Sequence, residues 1–187
     1  MILTDREIQI ALQHKMLVVD PAPADEAYSS TSLDLTLDPV LSLFKDGIKG
    51  VKQVIDPSSR DFVFEDVLEM VTEKREISEA GFEFCPGDLI LAWTQEYISL
   101  EPHARIAARV EGKSSLARLG VGVHITAPII HSGFAGRIRL EMFNHGKVPV
   151  LLKSGMRICQ LIFEQTVGTP VRGYKGRFSG QSPAGRS

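Results

Sequence analysis

The chain is 187 residues long, 43% hydrophobic and 24% charged, with a formal net charge of −2 at pH 7. That composition fits one soluble globular domain with its own core, and the near-neutral charge excludes a surface built to coat nucleic acid while leaving room for a local basic site. No apolar run approaches the roughly 20 residues of a membrane span. The start, Met1-Ile2-Leu3, lacks the basic-then-apolar order of a signal peptide. Cys85 and Cys159 sit in apolar runs and read as buried reduced thiols of a cytoplasmic protein, not as a disulfide framework.

Thr4-Asp5-Arg6-Glu7 has the form of a capping box, and Ile8, Ala11, Leu12 and Met16 continue at helical spacing. Together they predict a helix over about residues 4–15. Asp20-Pro-Ala-Pro-Ala-Asp25 forces extended chain. Ser30–Leu37 alternates apolar and polar residues as a half-buried strand does, and Val40–Phe44 reads as its neighbour. Residues 45–80 are dense in charge. Phe62–Phe64 and Val67–Val71 fit strand or helix, and an insertion or irregular arm stands evenly against regular structure there. From Phe82 onward short apolar runs follow one another. Phe82–Asp88 closes on a Pro-Gly turn; Leu89–Trp93, Tyr97–Leu100, Ile106–Val110, Gly122–Thr126, Arg137–Phe143, Val148–Leu152 and Arg157–Phe163 follow, with Gly155 turning into the last. This spacing predicts a mainly β sandwich or barrel. After Gln165 the apolar periodicity ends. Residues 172–187 read either as a loose terminus or as a mobile lid whose cations reach phosphates and whose rings cover a nucleotide.

Several chemistries lack their residues. A zinc nucleobase deaminase needs His-x-Glu and Pro-Cys-x-x-Cys, and neither occurs. A Gly-x-x-x-x-Gly-Lys-Ser/Thr loop, a Rossmann fingerprint and a Gly-x-Ser-x-Gly elbow are also missing. Two stretches remain. Arg109–Gly120 reads as strand, Gly turn and very short helix, with Ser114 or Ser115 placed to cap it, Gly120 to end it, and Lys113 and Arg118 on its flanks; such a helix start can hold an anion. A capped turn with solvated charges is the plainer reading. Arg137–Phe143 alternates, with Ile138, Leu140 and Met142 on one face and Arg137, Arg139, Glu141 and Phe143 on the other. Glu141 is then a carboxylate on a rigid strand, either catalytic or a surface partner of Arg137 or Arg139. His131 reads more plainly as a solvated turn residue, and His124, between Val123 and Ile125, as a hydrogen-bonded, semi-buried one.

Taken in order, Ser32-Leu-Asp-Leu-Thr-Leu37, Leu91-Ala-Trp-Thr-Gln-Glu-Tyr97, Glu111-Gly-Lys-Ser-Ser-Leu-Ala-Arg-Leu-Gly120, His124-Ile-Thr-Ala127, Gly133-Phe-Ala-Gly136, Ile138-Arg-Leu-Glu141 and Tyr174…Arg177-Phe178…Gln181 resemble the dCTP deaminase family of the dUTPase-like superfamily. The resemblance covers most of the chain and is weakest over residues 45–80. It implies a mainly β fold, a β-clip or dUTPase-like distorted barrel with a short N-terminal helix and a mobile C-terminal tail. Residues 1–187 then form one domain, with 172–187 as a lid over the nucleotide site. It implies a homotrimer with inter-subunit active sites, dCTP and dUTP as ligands, Mg²⁺ carried by the triphosphate, no zinc, and dTTP as a candidate feedback ligand. By position it makes Glu141, Ser114 and Arg118 catalytic. Lys113, Ser115, Leu116, Ala117, His131, Arg139, Leu140, Tyr174, Arg177 and Gln181 become substrate-binding.

The implied reaction is hydrolytic deamination of dCTP to dUTP and ammonia, supplying dUMP for thymidylate synthesis. Water attacking C4 of cytosine needs a base, and N3 and the departing amine then need an acid. One carboxyl group can serve both in turn when burial raises its pKa, contributing roughly 10²–10⁴-fold. Ser114 would position the water and Arg118 would hold Ser114. One departure stands out. Many relatives carry Asp at the position of His131, where dUTPases and bifunctional enzymes bind the 3′-hydroxyl and activate water at the α-phosphate. His131 can bond a 3′-hydroxyl but is a weaker base for that purpose. The alternatives are dUTP pyrophosphatase activity, alone or after deamination, and a non-catalytic nucleotide-binding trimer.

Overall fold

Strand pairing dominates the chain, as its short apolar runs predict. The computed structural model describes residues 1–45, 54–174, 176, 178 and 180–183. Along them run α1 (Asp5–Gln13), β1 (Leu17–Asp20), β2 (Tyr28–Ser29), β3 (Ser32–Thr36), β4 (Val40–Phe44), α2 (Phe64–Val71), β5 (Thr72–Glu76), β6 (Phe82–Phe84) and β7 (Leu89–Leu100). Then follow β8 (Ile106–Gly112), α3 (Ser114–Ala117), β9 (Val121–Gly122), β10 (Ile129–Ile130), β11 (Ala135–Asn144), β12 (Val150–Leu152) and β13 (Arg157–Gln165). One sheet has the order β5-β4-β7-β11-β9, with β1 also on β7; the second runs β10-β8-β13-β3-β2; β12 and β6 form a ribbon. The sheets are distorted and do not close into a barrel.

Period-two alternation builds the core. On β11, Ile138, Leu140 and Met142 are almost fully buried while Arg137, Arg139, Glu141 and Phe143 stay half-exposed, as the sequence predicts. Ile106, Ala108 and Val110 of β8, Leu161 and Phe163 of β13, and Ile90, Ala92, Ile98 and Leu100 of β7 join the same cluster. Each of these side chains larger than alanine contributes about 1.5–3 kcal/mol by leaving water. α1 closes one side of it through Ile8 and Ala11. At its start Thr4 donates to the Glu7 carboxylate, so the capping-box pair forms, although the Thr4 side chain makes no cap bond to the backbone.

Four expectations change. β4 is not the neighbour of β3: it pairs with β5 and β7 in the other sheet. The chain crosses between sheets at Leu37–Pro39, where Leu37 bridges Thr94, the Asp38 N–H donates to the Trp93 carbonyl (2.9 Å), and Asp38 Oδ1 accepts from the Val40 N–H (2.9 Å). β3 is buried on both faces, its polar residues Ser32 and Asp34 included. β7 is one strand of 12 residues, not two. Its polar interruption survives because Thr94 and Glu96 are buried with partners. Thr94 Oγ1 accepts from the Ile138 N–H (3.1 Å), and the Glu96 carboxylate accepts from the Thr36 N–H (3.0 Å) and hydroxyl (2.7 Å), which ties the two sheets together. Finally, Gly122–Thr126 is not a strand: pairing with β11 stops after Gly122. Within the stretch 45–80, α2 and β5 form an ordered arm, β5 pairing along the whole of β4; residues 46–53 lie outside the described residues.

Candidate active site

The outward face of β11 carries the chemistry. Glu141 lies opposite Leu91, and Arg139 opposite Trp93. The Arg139 guanidinium sits 4.9 Å from the Trp93 ring centroid and donates to Ser42 Oγ at 3.3 Å. Arg137 is committed elsewhere, to the buried Asp38 at 2.6 Å. Among the described residues no ion pair of 4 Å or less involves Glu141, so the surface-pair reading of that residue does not hold. Burial pushes its carboxyl above the ordinary carboxylate range, opposed by its own and the Ile125 N–H groups and by His124 and Arg139. Burial correspondingly lowers Arg139, with Glu141 opposing.

Among the described residues, two buried polar atoms have no hydrogen-bond partner, Arg139 Nε and His124 Nδ1, and both side chains act electrostatically on this carboxyl. Leaving such an atom unsatisfied costs about 1–3 kcal/mol, and native folds rarely accept it without use. His124 therefore departs from its expected role as a hydrogen-bonded packing residue. The arrangement can shuttle a proton through one carboxyl group while a ligand satisfies the two neighbouring nitrogens. The side chain of Leu140 is 1% exposed on the opposite face, so this residue can meet a base only through its backbone.

α3 presents the second set. Neither serine caps it: Lys113 occupies the N-cap position with extended backbone, and Ser114 is the first helical residue. Ser114, Ser115, Ala117 and Arg118 are exposed, with Leu116 partly covered. Among the described residues, no hydrogen bond or ion pair joins Ser114 or Arg118 to Glu141. Lys113 is not a free cation. Its ammonium lies 2.6 Å from both oxygens of Asp34, which is almost fully buried. Asp34 is a member of this region that sequence reading passed over; a charged residue in the middle of an apolar strand was the available signal.

What ends α3 is steric. Gly120 has φ +92, and a Cβ there would lie 2.3 Å from the Gly146 nitrogen. The Gly120 carbonyl also accepts from the His145 N–H at 2.8 Å, which pins α3 to the turn after β11. We expect Gly120→Ala to cost about 3 kcal/mol, from the left-handed backbone and from overpacking. That lowers Tm by about 10 °C in a chain of this size, readable by calorimetry or circular dichroism.

The tail sites cluster at the start of β11. The Tyr174 ring stacks on His131, centroids 5.5 Å apart at 19°, and its N–H donates to the Ser132 carbonyl at 3.1 Å. Gln181 Nε2 donates to the Arg137 carbonyl at 3.0 Å. Arg177 lies outside the described residues. His131, Tyr174 and Gln181 thus share one locality, four or more positions along β11 from Glu141.

A family model described as dCTP deaminase-like matches residues 2–166. The chain is 39% identical over 178 residues to a dCTP deaminase of Shewanella frigidimarina, covering 95% of this chain and 90% of that one. It is 38% identical over 169 residues to a dUMP-forming dCTP deaminase of Methanobrevibacter smithii, covering 90% and 82%. Among solved structures, the 2′-deoxycytidine 5′-triphosphate deaminase of Agrobacterium tumefaciens aligns with a TM-score of 0.66 at 20% identity over 87% of this chain, which spans only 47% of that one. The Staphylococcus bacteriophage 80alpha dUTPase aligns with a TM-score of 0.50 at 9% identity, covering 86% and 96%. At those identities the two structures speak to the fold alone, and the fold is dUTPase-like.

Proposed function

The chain belongs to the dCTP deaminase-like family, and on that premise we propose that it deaminates dCTP hydrolytically at a site centred on Glu141. The observation that carries this reading is the carboxyl of Glu141: raised by burial and flanked by two unsatisfied nitrogens. A raised carboxyl suits a group that must accept a proton from water and then return it. Glu141 takes one proton as the water oxygen bonds to C4 and gives it to N3. It then takes the second proton from the new C4 hydroxyl and gives it to the amine, and the C4–N bond breaks to leave the C4 carbonyl and release ammonia. Arg139, planar and stacked on Trp93, fits the edge of a pyrimidine, and Ser114 with Arg118 would hold the attacking water.

Ser114 and Arg118 have no bond to Glu141 within one chain, and both are exposed. Leu119, Ile125 and Ile129, around the same region, leave about half of each side chain in solvent. These features support a homotrimer in which α3 of one subunit completes the Glu141 face of another. Mg²⁺ belongs to the substrate in this reading, carried by its triphosphate. The proposed chemistry calls for no zinc. Of the two cysteines, Cys159 is buried, as expected, with its thiol pushed up by burial, and Cys85 is exposed, against the expected burial. Both cysteines are free thiols, in keeping with a cytoplasmic enzyme; among the described residues no helix is long and apolar enough to cross a membrane.

The product expected is dUTP. His131 offers an imidazole already stacked on Tyr174 where a carboxylate would be needed for attack at the α-phosphate. The Methanobrevibacter smithii relative favours a second reading, in which the same site goes on to dUMP. Incubation with Mg²⁺ and either dCTP or dUTP, with products separated chromatographically, decides between them. We expect dUTP from dCTP and no turnover of dUTP. Appearance of dUMP and pyrophosphate would establish the second reading, and absence of any product from dCTP would remove the first.

A further inference from the structure

The arm built by α2 and β5 has no part in the chemistry above, yet it touches the C-terminal tail twice. The Phe178 ring meets Phe64, the first residue of α2, edge-on at 5.7 Å. Lys74 Nζ, from β5, donates to the Pro183 carbonyl at 3.0 Å. Between these contacts the tail pairs with the start of β11: the Gly180 N–H donates to the Ala135 carbonyl at 2.7 Å, and the Arg137 N–H to the Gln181 carbonyl at 3.0 Å. Gly136 makes this approach possible, since a Cβ there would lie 3.1 Å from the Gln181 nitrogen.

Register fixes the side of the sheet on which this happens. Lys74 pairs with Ser42, Ser42 with Leu91, and Leu91 with Glu141. Residues directly opposite one another on adjacent strands project from the same face. Lys74 and Glu141 therefore project to one side, and the Pro183 carbonyl that Lys74 holds lies on that side. The tail is thus anchored at β11 and at β5, the second anchor projecting from the face that bears Glu141.

We propose that the arm is a seat for the tail, with Phe64 and Lys74 as positioning residues that hold it across the Glu141 face of its own chain before any nucleotide binds. The functional part of this inference rests on the deaminase reading; the seating itself does not. A tail already seated loses less conformational freedom when it covers a nucleotide, so the arm lowers the entropic cost of closure. Loss of the seat then weakens substrate binding more than it slows turnover.

The test is amide hydrogen exchange on the full, nucleotide-free chain, read at Arg137 and Gly180, whose N–H groups donate across the tail contact. We expect both to be protected in the parent protein and to exchange about tenfold faster or more in Lys74→Met and in Phe64→Ala. Exchange at Thr72–Glu76 reports whether β5 remains paired. If Phe64→Ala loosens that strand, Lys74→Met, a change at an exposed side chain, decides alone. Unprotected amides in the parent, or parent-like rates in the variants, would overturn the proposal. In parallel, KM for dCTP should rise about tenfold with kcat changed less than about threefold, the pattern of lost uniform binding. A fall in kcat at constant KM would remove the functional part. A parent protein without activity on dCTP would sink the deaminase reading and leave the exchange result standing.

Discussion

Glu141→Gln is expected to abolish turnover of dCTP, by about 10³-fold or more, while nucleotide binding stays within a few-fold of the parent. Glutamine preserves the shape of the side chain and can still accept from the Ile125 N–H that faces it. It cannot take a proton from water or return one to N3. Burial also gives this substitution a second signature. A carboxyl whose pKa is raised in the folded state binds its proton more tightly there than in the unfolded chain, so folding stability falls as pH rises through the interval between the two values. Below the ordinary carboxylate range the parent carries no penalty from this group. Above the raised folded value the penalty is complete. Glu141→Gln should therefore have a Tm equal to the parent's in acid and higher at neutral pH. A variant with substantial turnover would remove Glu141 from the mechanism. A variant whose Tm gap stays constant across that range would mean that the carboxyl is not perturbed by burial.

Arg118→Ala is expected to lose about 10²–10³-fold in activity if Arg118 helps fix the attacking water. The informative experiment combines the two dead proteins. If each site takes Glu141 from one subunit and Arg118 from its neighbour, co-expression of Arg118→Ala with Glu141→Gln at equal levels yields intact sites at about one position in four, by random assembly of a cyclic trimer. About a quarter of parent activity should return. No recovery, in complexes shown to contain both chains, would place Arg118 and Glu141 in one subunit. The absence of a direct bond between them within a chain would then have to be bridged by ligand or water.

Local pattern and tertiary context divide what could be read from the sequence. β11 and the two faces of its side chains follow from alternation alone, because one side meets the core and the other does not. The one-turn α3 was legible from its glycines, but its cap was not: the residue before the serines has extended backbone, and its ammonium is drawn to Asp34, a contact 79 positions away in sequence. β7 read as two strands because Thr94-Gln95-Glu96 looks like a polar break. The half-buried Thr36 donors make a glutamate acceptable there. β4 read as the partner of β3 because neighbours in sequence usually pair; the buried Asp38 turns the chain into the other sheet instead. The order of α2 and β5 was hidden because their stabilising partners, β4 and the tail, are remote in sequence. At the site, Glu141 and Arg139 were legible from period two, whereas the unsatisfied nitrogen of His124 depends on where a loop passes and has no local signal.

The union of Lys113 with Asp34 alters how this protein meets a highly charged ligand. Lys113, Arg118 and Arg157 make three cations here, but the field a distant triphosphate feels is nearer to that of two. Asp34 is shared by Lys113 and Arg157, so that cluster carries one net positive charge beyond a Debye length, and Arg118, without an ion-pair partner among the described residues, adds the second. Long-range steering toward α3 is reduced by the one carboxylate and not abolished. Discrimination among nucleotides is postponed to contact, where the fork of an arginine and the shape of the sheet face can tell a triphosphate from other anions that a bare cluster of lysines would also collect.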